Sequence, residues 1–250
     1  MIQLKTREQI DRIREACHIT ARLMEALGPF IEPGMSSWDV NQFCHDFIIK
    51  HKGVPAFLGY GGFPASACIS IDEEVIHGIP SKERIIQAGS LVSVDIGINL
   101  NGFFSDMART FIVGETTEKK RTLNRVTEEC LRLAVDAASK KGARIQDIGK
   151  AVSKHASKHG FGVVRQYCGH GVGLAVHESP EIPNYASLHL PNPRIREGMV
   201  LAIEPMINLG THGVRVLEDE WTVVTLDGLP SSHFEDTVAI TRDGLEVLTV

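Results

Sequence analysis

The chain has 250 residues with 31 acidic and 26 basic side chains, a formal net charge of −5. At 43% hydrophobic and 23% charged it has an ordinary globular composition, which argues against intrinsic disorder, collagen and coiled coil. The mild acidity also argues against a nucleic-acid binder that works through a basic face.

The opening MIQLKTREQI has no apolar run behind a basic start. Nothing further along reaches the roughly 18 apolar residues of a membrane span, so no secretory signal and no membrane contact is expected, and the expected compartment is the cytoplasm. Thr6 with Gln9 is a capping-box start, and Ile10, Ile13, Ala16, Cys17, Thr20, Leu23, Met24 and Leu27 follow at helical spacing until Gly28-Pro29. A second helix begins at Ser36 or Ser37, with Val40, Phe43, Cys44, Phe47 and Ile48 on one face. From about Ser66 to Val113 the text turns to β-rich runs, ACISI, LVSVDIGI and FFSDMARTFIV. Residues 118–141 and 146–159 read as helices, and the β pattern returns from 162.

The order helix, helix, strands occurs twice. Gly34, Asp39, Val40, Lys50 and His51 fall on Gly142, Asp147, Ile148, Lys158 and His159 at an offset of 108. At 109, Ile86, Gly89, Asp95, Ile98, Asn99 and Leu100 fall on Ile195, Gly198, Glu204, Ile207, Asn208 and Leu209. Chance is one explanation of such matches. The shared register favours an internal duplication, with halves of about 1–113 and 114–250 packed as one domain over 1–250. The five cysteines, Cys17, Cys44, Cys68, Cys130 and Cys168, are odd in number and form no CxxC pair, so they read as reduced thiols, most of them buried.

The segment LVSVDIGINLNGFFSDMART reads as a hairpin around Asn101-Gly102, a type I′ turn signal. That turn sets Leu100 opposite Phe103 and Asp95 opposite Ala108. Asp106 is two residues from Ala108, so both carboxylates share one sheet face at diagonal reach, while Val94 and Ile96 point the other way. Two acids in an apolar hairpin raise each other's pKa unless something positive lies between them. A bound cation, a solvent-facing polar row, or pairing with Arg109 would each serve. Glu204 lies in the apolar run MVLAIEPMI, Glu235 in HFEDTVAI, and His170 between glycines in YCGHGVG. One imidazole with four carboxylates is an oxygen-rich set suited to Mn, Fe, Co or Zn, and four negative charges match two divalent ions.

These segments resemble the type I methionine aminopeptidases of the pita-bread family. The matching signatures are CISIDEEVIHGIP (68–80), VDIGINLNGFFSD (94–106), YCGHGVG (167–173) with HESP behind it (177–180), AIEPMI (202–207) and FEDTVAIT (234–241). The resemblance covers essentially the whole chain. It implies an α/β (α+β) fold of two pseudo-symmetric halves, helices packed on a curved, mainly antiparallel sheet, with the site between them. It implies two divalent ions, Asp95 chelating one, Asp106 and Glu235 bridging both, and His170 and Glu204 completing the other. Hydrolysis would then run through a metal-bridging hydroxide, with Glu204 as general base and His77 and His177 contacting the scissile bond. By position the methionine pocket maps to Tyr60, Phe63, Cys68, Val176 and Trp221, with Phe57 nearby. Val176 stands where an aromatic is frequent, and FFSDMART departs from the family's aromatic-His-Gly-Asp wording.

The implied substrate is a peptide or nascent-protein N-terminus, with the ribosome as a further candidate partner. His18, His45, His51, His155, His159, His189, His212 and His233 read as surface or packing residues, with the mouth of the cleft as the other reading for His233. A prolidase or Xaa-Pro aminopeptidase is the first rival, since SDMART resembles its wording, although those enzymes usually carry an added N-terminal domain. The 26 residues between His177 and Glu204 leave no room for the helical insertion of a type II enzyme. A non-catalytic binding protein on the same scaffold would be expected to have lost ligands.

Overall fold

Local sequence signals set four helices in the computed structural model, which describes residues 1–250. Helix α1 spans Arg7–Leu27 and α2 spans Ser37–Lys50. At α1, Gln9 N–H donates to Thr6 Oγ1 at 3.2 Å and Thr6 N–H donates to Gln9 Oε1 at 2.9 Å, the reciprocal box its sequence predicts. Ser36 and Asp39 repeat the device at α2. Helix α3 covers Glu118–Ala138 and α4 covers Ile145–Lys158. The α3 pattern reads on to 141, but the chain leaves the helix at Ser139 and turns through Gly142, whose φ of +79° suits glycine. Helices α1 and α3 have 21 residues each, and α2 and α4 have 14 each.

The predicted hairpin forms over Leu91–Leu100 and Phe103–Ile112. Asn101 and Gly102 take φ of 55° and 87°, and Leu100 pairs with Phe103, Asp95 with Ala108 and Gly97 with Asp106. On its other edge the strand Leu91–Leu100 pairs with Cys68–Ile71 and Val54–Pro55. In the second half a five-stranded sheet runs in the order Gly244–Val247, Asp236–Thr241, Val200–Ile203, Gly169–Gly171, Glu178–Ile182. Every pairing in the molecule's sheets is antiparallel.

Two expected strands are broken. Glu204 does not lie inside a strand; it and Pro205 separate Val200–Ile203 from Met206–Asn208, which belong to different sheets. Proline has no N–H to give to a ladder, so the run ends there. Across from it, Ser231–His233 and Asp236–Thr241 are parted in the same way, and Glu235 makes only an isolated bridge to Ala108 of the hairpin.

Each half has its own apolar core. Leu23, Leu27, Val40, Cys44 and Ile48 of α1 and α2 cover Ile69, Val94, Ile96 and Ile98 of the first sheet. Leu123, Val126, Cys130, Ile148 and Val152 of α3 and α4 cover Leu201, Ile203 and Val238 of the second. Burying a side chain of this kind contributes roughly 2 kcal/mol, so each sheet is pinned to its helices. The halves are stitched where the acids lie. Thr237 Oγ1 donates to Asp106 O at 2.7 Å and accepts from Asp106 N–H at 3.1 Å, and Thr110 Oγ1 does the same with His233, at 2.8 and 3.0 Å. No helix is long and apolar enough to cross a membrane.

Candidate metal centre

The period of two along the hairpin turns Asp95 and Asp106 to one face, away from the helix-covered face of Val94 and Ile96. The two strand breaks bring Glu204 and Glu235 to the same place. Asp106 and Glu235 are each 2% exposed. His170 completes the group, and ligand atoms of Asp106, His170 and Glu235 all lie within 4.8 Å of one another. His170 Nε2 is 3.8 Å from Asp106 Oδ2 and 3.6 Å from Glu204 Oε1.

The glycines beside His170 have a steric reason. A Cβ on Gly169 would meet Ala202 O at 2.4 Å, and one on Gly171 would meet Ser179 O at 2.4 Å. Their absence lets the short strand press between its neighbours. His170 Nδ1 donates to Gly171 O at 2.9 Å, which leaves Nε2 unprotonated and facing the acids.

The electrostatics call for a cation. Burial lifts the Asp95 carboxyl to about 7, and Asp106, Glu204 and Glu235 go well above the ordinary carboxylate range through burial. Mutual repulsion adds to the rise at Asp106 and Glu235. Burial also lowers His170 to about 3, so the imidazole stays neutral. Asp95 Oδ1 and Asp106 Oδ1 are buried with no hydrogen-bond partner. Arg109 does not relieve the charge: it pairs with Asp236 at 2.6 Å and donates to the Glu235 and Ala108 carbonyls. A neutral ring, orphaned carboxylate oxygens and no protein cation among the ligands fit a site for divalent metal.

The acids form the floor of a cavity of about 220 Å³. Its walls include Phe57, Tyr60, Phe63, Cys68, His77, His177 and Trp221. The His177 ring lies 4.2 Å from that of His170, and His177 Nδ1 is 3.0 Å from Tyr60 Oη. His77 meets Tyr167 edge on at 5.7 Å and holds φ at +57°, a conformation costly for a non-glycine residue. Burial lowers His77 to about 4.

Val176 is the exception among the predicted wall residues. It is 4% exposed and packs with Phe57, Phe63, Ala65 and Cys68, outside the set that lines the cavity. His233 is neither on the surface nor at the mouth. It is 1% exposed, with Nε2 unpartnered and 3.5 Å from Glu204 Oε2. Its place two residues before Glu235 was the available signal, since a strand break there turns a neighbour inward. A residue missed altogether is Lys5, 5% exposed, whose Nζ meets Glu178 Oε2 at 2.5 Å. Glu178 Oε1 accepts from Leu174 and Ala175 N–H at 2.7 and 3.1 Å, so this buried pair fastens the loop that carries His177.

A family model described as metallopeptidase family M24 matches residues 11–242. A methionine aminopeptidase of Treponema pallidum is 54% identical over 249 residues, covering 100% of this chain and 96% of that protein. The crystal structure of methionine aminopeptidase from Thermotoga maritima superposes with a TM-score of 0.95 at 42% identity, covering 100% of this chain and 99% of that one. The prolidase from Pyrococcus furiosus superposes less well, with a TM-score of 0.79 at 29% identity, and this chain spans 65% of it.

Proposed function

The chain belongs to metallopeptidase family M24, and from that premise we propose that it is a methionine aminopeptidase of the type I kind, a metal-dependent hydrolase that removes the N-terminal methionine from peptides and nascent proteins. The observation that carries this reading is the convergence of four carboxylates and one neutral imidazole on a small cavity with aromatic walls. We take the full set as holding two divalent ions among Mn, Fe, Co and Zn. Asp95 would hold one, Asp106 and Glu235 both, and His170 and Glu204 the other. When bound, such ions polarise the scissile carbonyl and lower the pKa of water.

The chain's own groups supply the rest. Glu204, lifted by burial, is a fitting base to take a proton from the attacking water and return it to the leaving amine. Burial lowers His77 to about 4 and lowers His177 as well, and each imidazole can donate a hydrogen bond to the scissile amide or its developing oxyanion. Tyr60 fixes the His177 ring. The cavity of about 220 Å³ can seat one side chain beside the acids, as an exopeptidase requires. Its rings, Phe57, Tyr60, Phe63 and Trp221, suit an unbranched thioether. We read the chain as a single catalytic domain of two duplicated halves working in the cytoplasm, with the ribosome as a candidate partner.

Glu235→Ala and His170→Ala should fold and fail to cleave Met-Ala-Ser. Full hydrolysis by either purified variant would overturn the assignment. Met-Ala-Ser should be preferred over Leu-Ala-Ser and over Xaa-Pro peptides, whereas a preference for the last would favour the prolidase reading. Adding back each of the four metals to the metal-free protein identifies the working ion.

A further inference from the structure

Outside the residues that line the cleft, α3 and α4 bring a different ligand set together. Glu129 stands on α3, and His155 and His159 stand at the end of α4, four residues and so about one turn apart. One ligand atom from each lies within 4.8 Å of the others. His155 Nε2 is 2.7 Å from Glu129 Oε2. The second carboxylate oxygen is taken up by Arg125 Nη1 at 2.6 Å, which turns Oε2 toward the imidazoles. The His159 ring meets that of His155 at 5.1 Å and stacks on Phe161 at 6.2 Å, so its plane is braced from both sides. Glu129 and His155 are half-buried and His159 is exposed, so the group opens to solvent.

We propose that Glu129, His155 and His159 form a second metal site, outside the peptidase centre, for a borderline divalent ion such as Zn²⁺ that ties α3 to α4. Two imidazoles and one carboxylate are a three-ligand zinc set with water in the fourth position. Ligation by His155 Nε2 replaces its present hydrogen bond to Glu129, the ring proton moving from Nε2 to Nδ1. Arg125 then acts as the outer partner that orients the carboxylate, as such sites require. Imidazole-rich ligation favours Zn, Cu and Ni, whereas the carboxylate-rich cleft suits harder ions. The two sites therefore differ in which metal they draw from a mixture.

Equilibrium dialysis against Zn²⁺ with metal analysis tests this. At the same free zinc, the unmodified protein should hold one equivalent more than His159→Ala, and Glu129→Gln should lose the same equivalent. The difference should persist between Glu235→Ala and the double variant Glu235→Ala/His159→Ala. Met-Ala-Ser hydrolysis by His159→Ala, assayed with the working ion, should be unchanged. Equal zinc content within both pairs overturns the site. A Glu235→Ala variant that binds as much zinc as the unmodified protein would count against the cleft reading and leave the His159-dependent equivalent standing.

Discussion

The two halves deliver their carboxylates by different means. Asp95 and Asp106 ride on ten-residue strands that run unbroken through the hairpin, whereas Glu204 and Glu235 sit where the facing strands stop and restart in another sheet. A continuous ladder fixes a side chain through its neighbours' hydrogen bonds, and a break leaves the backbone free to aim a longer side chain. The shorter acids come from the rigid half and the longer ones from the interrupted half. The acid assigned proton transfer belongs to the second.

Replacing that acid gives the largest expected effect. Glu204→Gln should lower kcat on Met-Ala-Ser by about 10²–10⁴-fold, the span of general-base catalysis. A loss below about tenfold would remove the distinction between Glu204 and a mere ligand.

Metal removal probes both halves at once. The raised carboxylates contribute stability while protonated, and that contribution is lost as pH rises through about 7 for Asp95 and higher for the other three. His170 and His77, depressed to about 3 and 4, run the other way: their contribution is complete above 6.5 and is lost as pH falls through those values. Above neutrality only the acids change the balance, so metal-free protein should go on losing stability as pH rises above about 7. A saturating ion, worth about 2.7 kcal/mol at a hundred times its Kd, should raise Tm by an amount that grows from about pH 6 to 8. Calorimetry showing a flat or shrinking gain would contradict the charge argument.

The break itself is open to attack. Pro205→Ala restores a ladder N–H, and we expect roughly a tenfold loss in kcat/KM, about 1.4 kcal/mol, with the fold retained. Unchanged kinetics would mean that Glu204 needs no interruption. The smallest effect belongs to the rigid half. Asn101→Ala, at a φ of 55°, should cost about 1 kcal/mol in urea unfolding and leave kcat/KM untouched. A change in kinetics there would show that the hairpin's tip does reach the site.

Legibility in the sequence follows the same division. Asn101-Gly102 sets every pair of the hairpin by counting, so the placement of Asp95 against Ala108 was readable to the residue. The breaks were less so, because MVLAIEPMI and HFEDTVAI keep an apolar pattern across them, and only Pro205 signals one. His233 was legible only through its place two residues before Glu235: its contact with Glu204 follows from its pairing with Met206, a register that the sequence alone does not fix. Val176 was placed by its position in a motif, yet it packs with Phe57, Phe63, Ala65 and Cys68 outside the residues that line the cavity. The pairing of Lys5 with Glu178 spans 173 positions of chain and has no local signature.

That pairing has a practical side. An enzyme proposed to trim the beginnings of other polypeptides has its own fifth residue wedged beneath the loop that bears His177. Cloning decisions near the start codon, such as a deleted leader stretch or a cleavage scar reaching Lys5, would thus alter the catalytic cleft from afar.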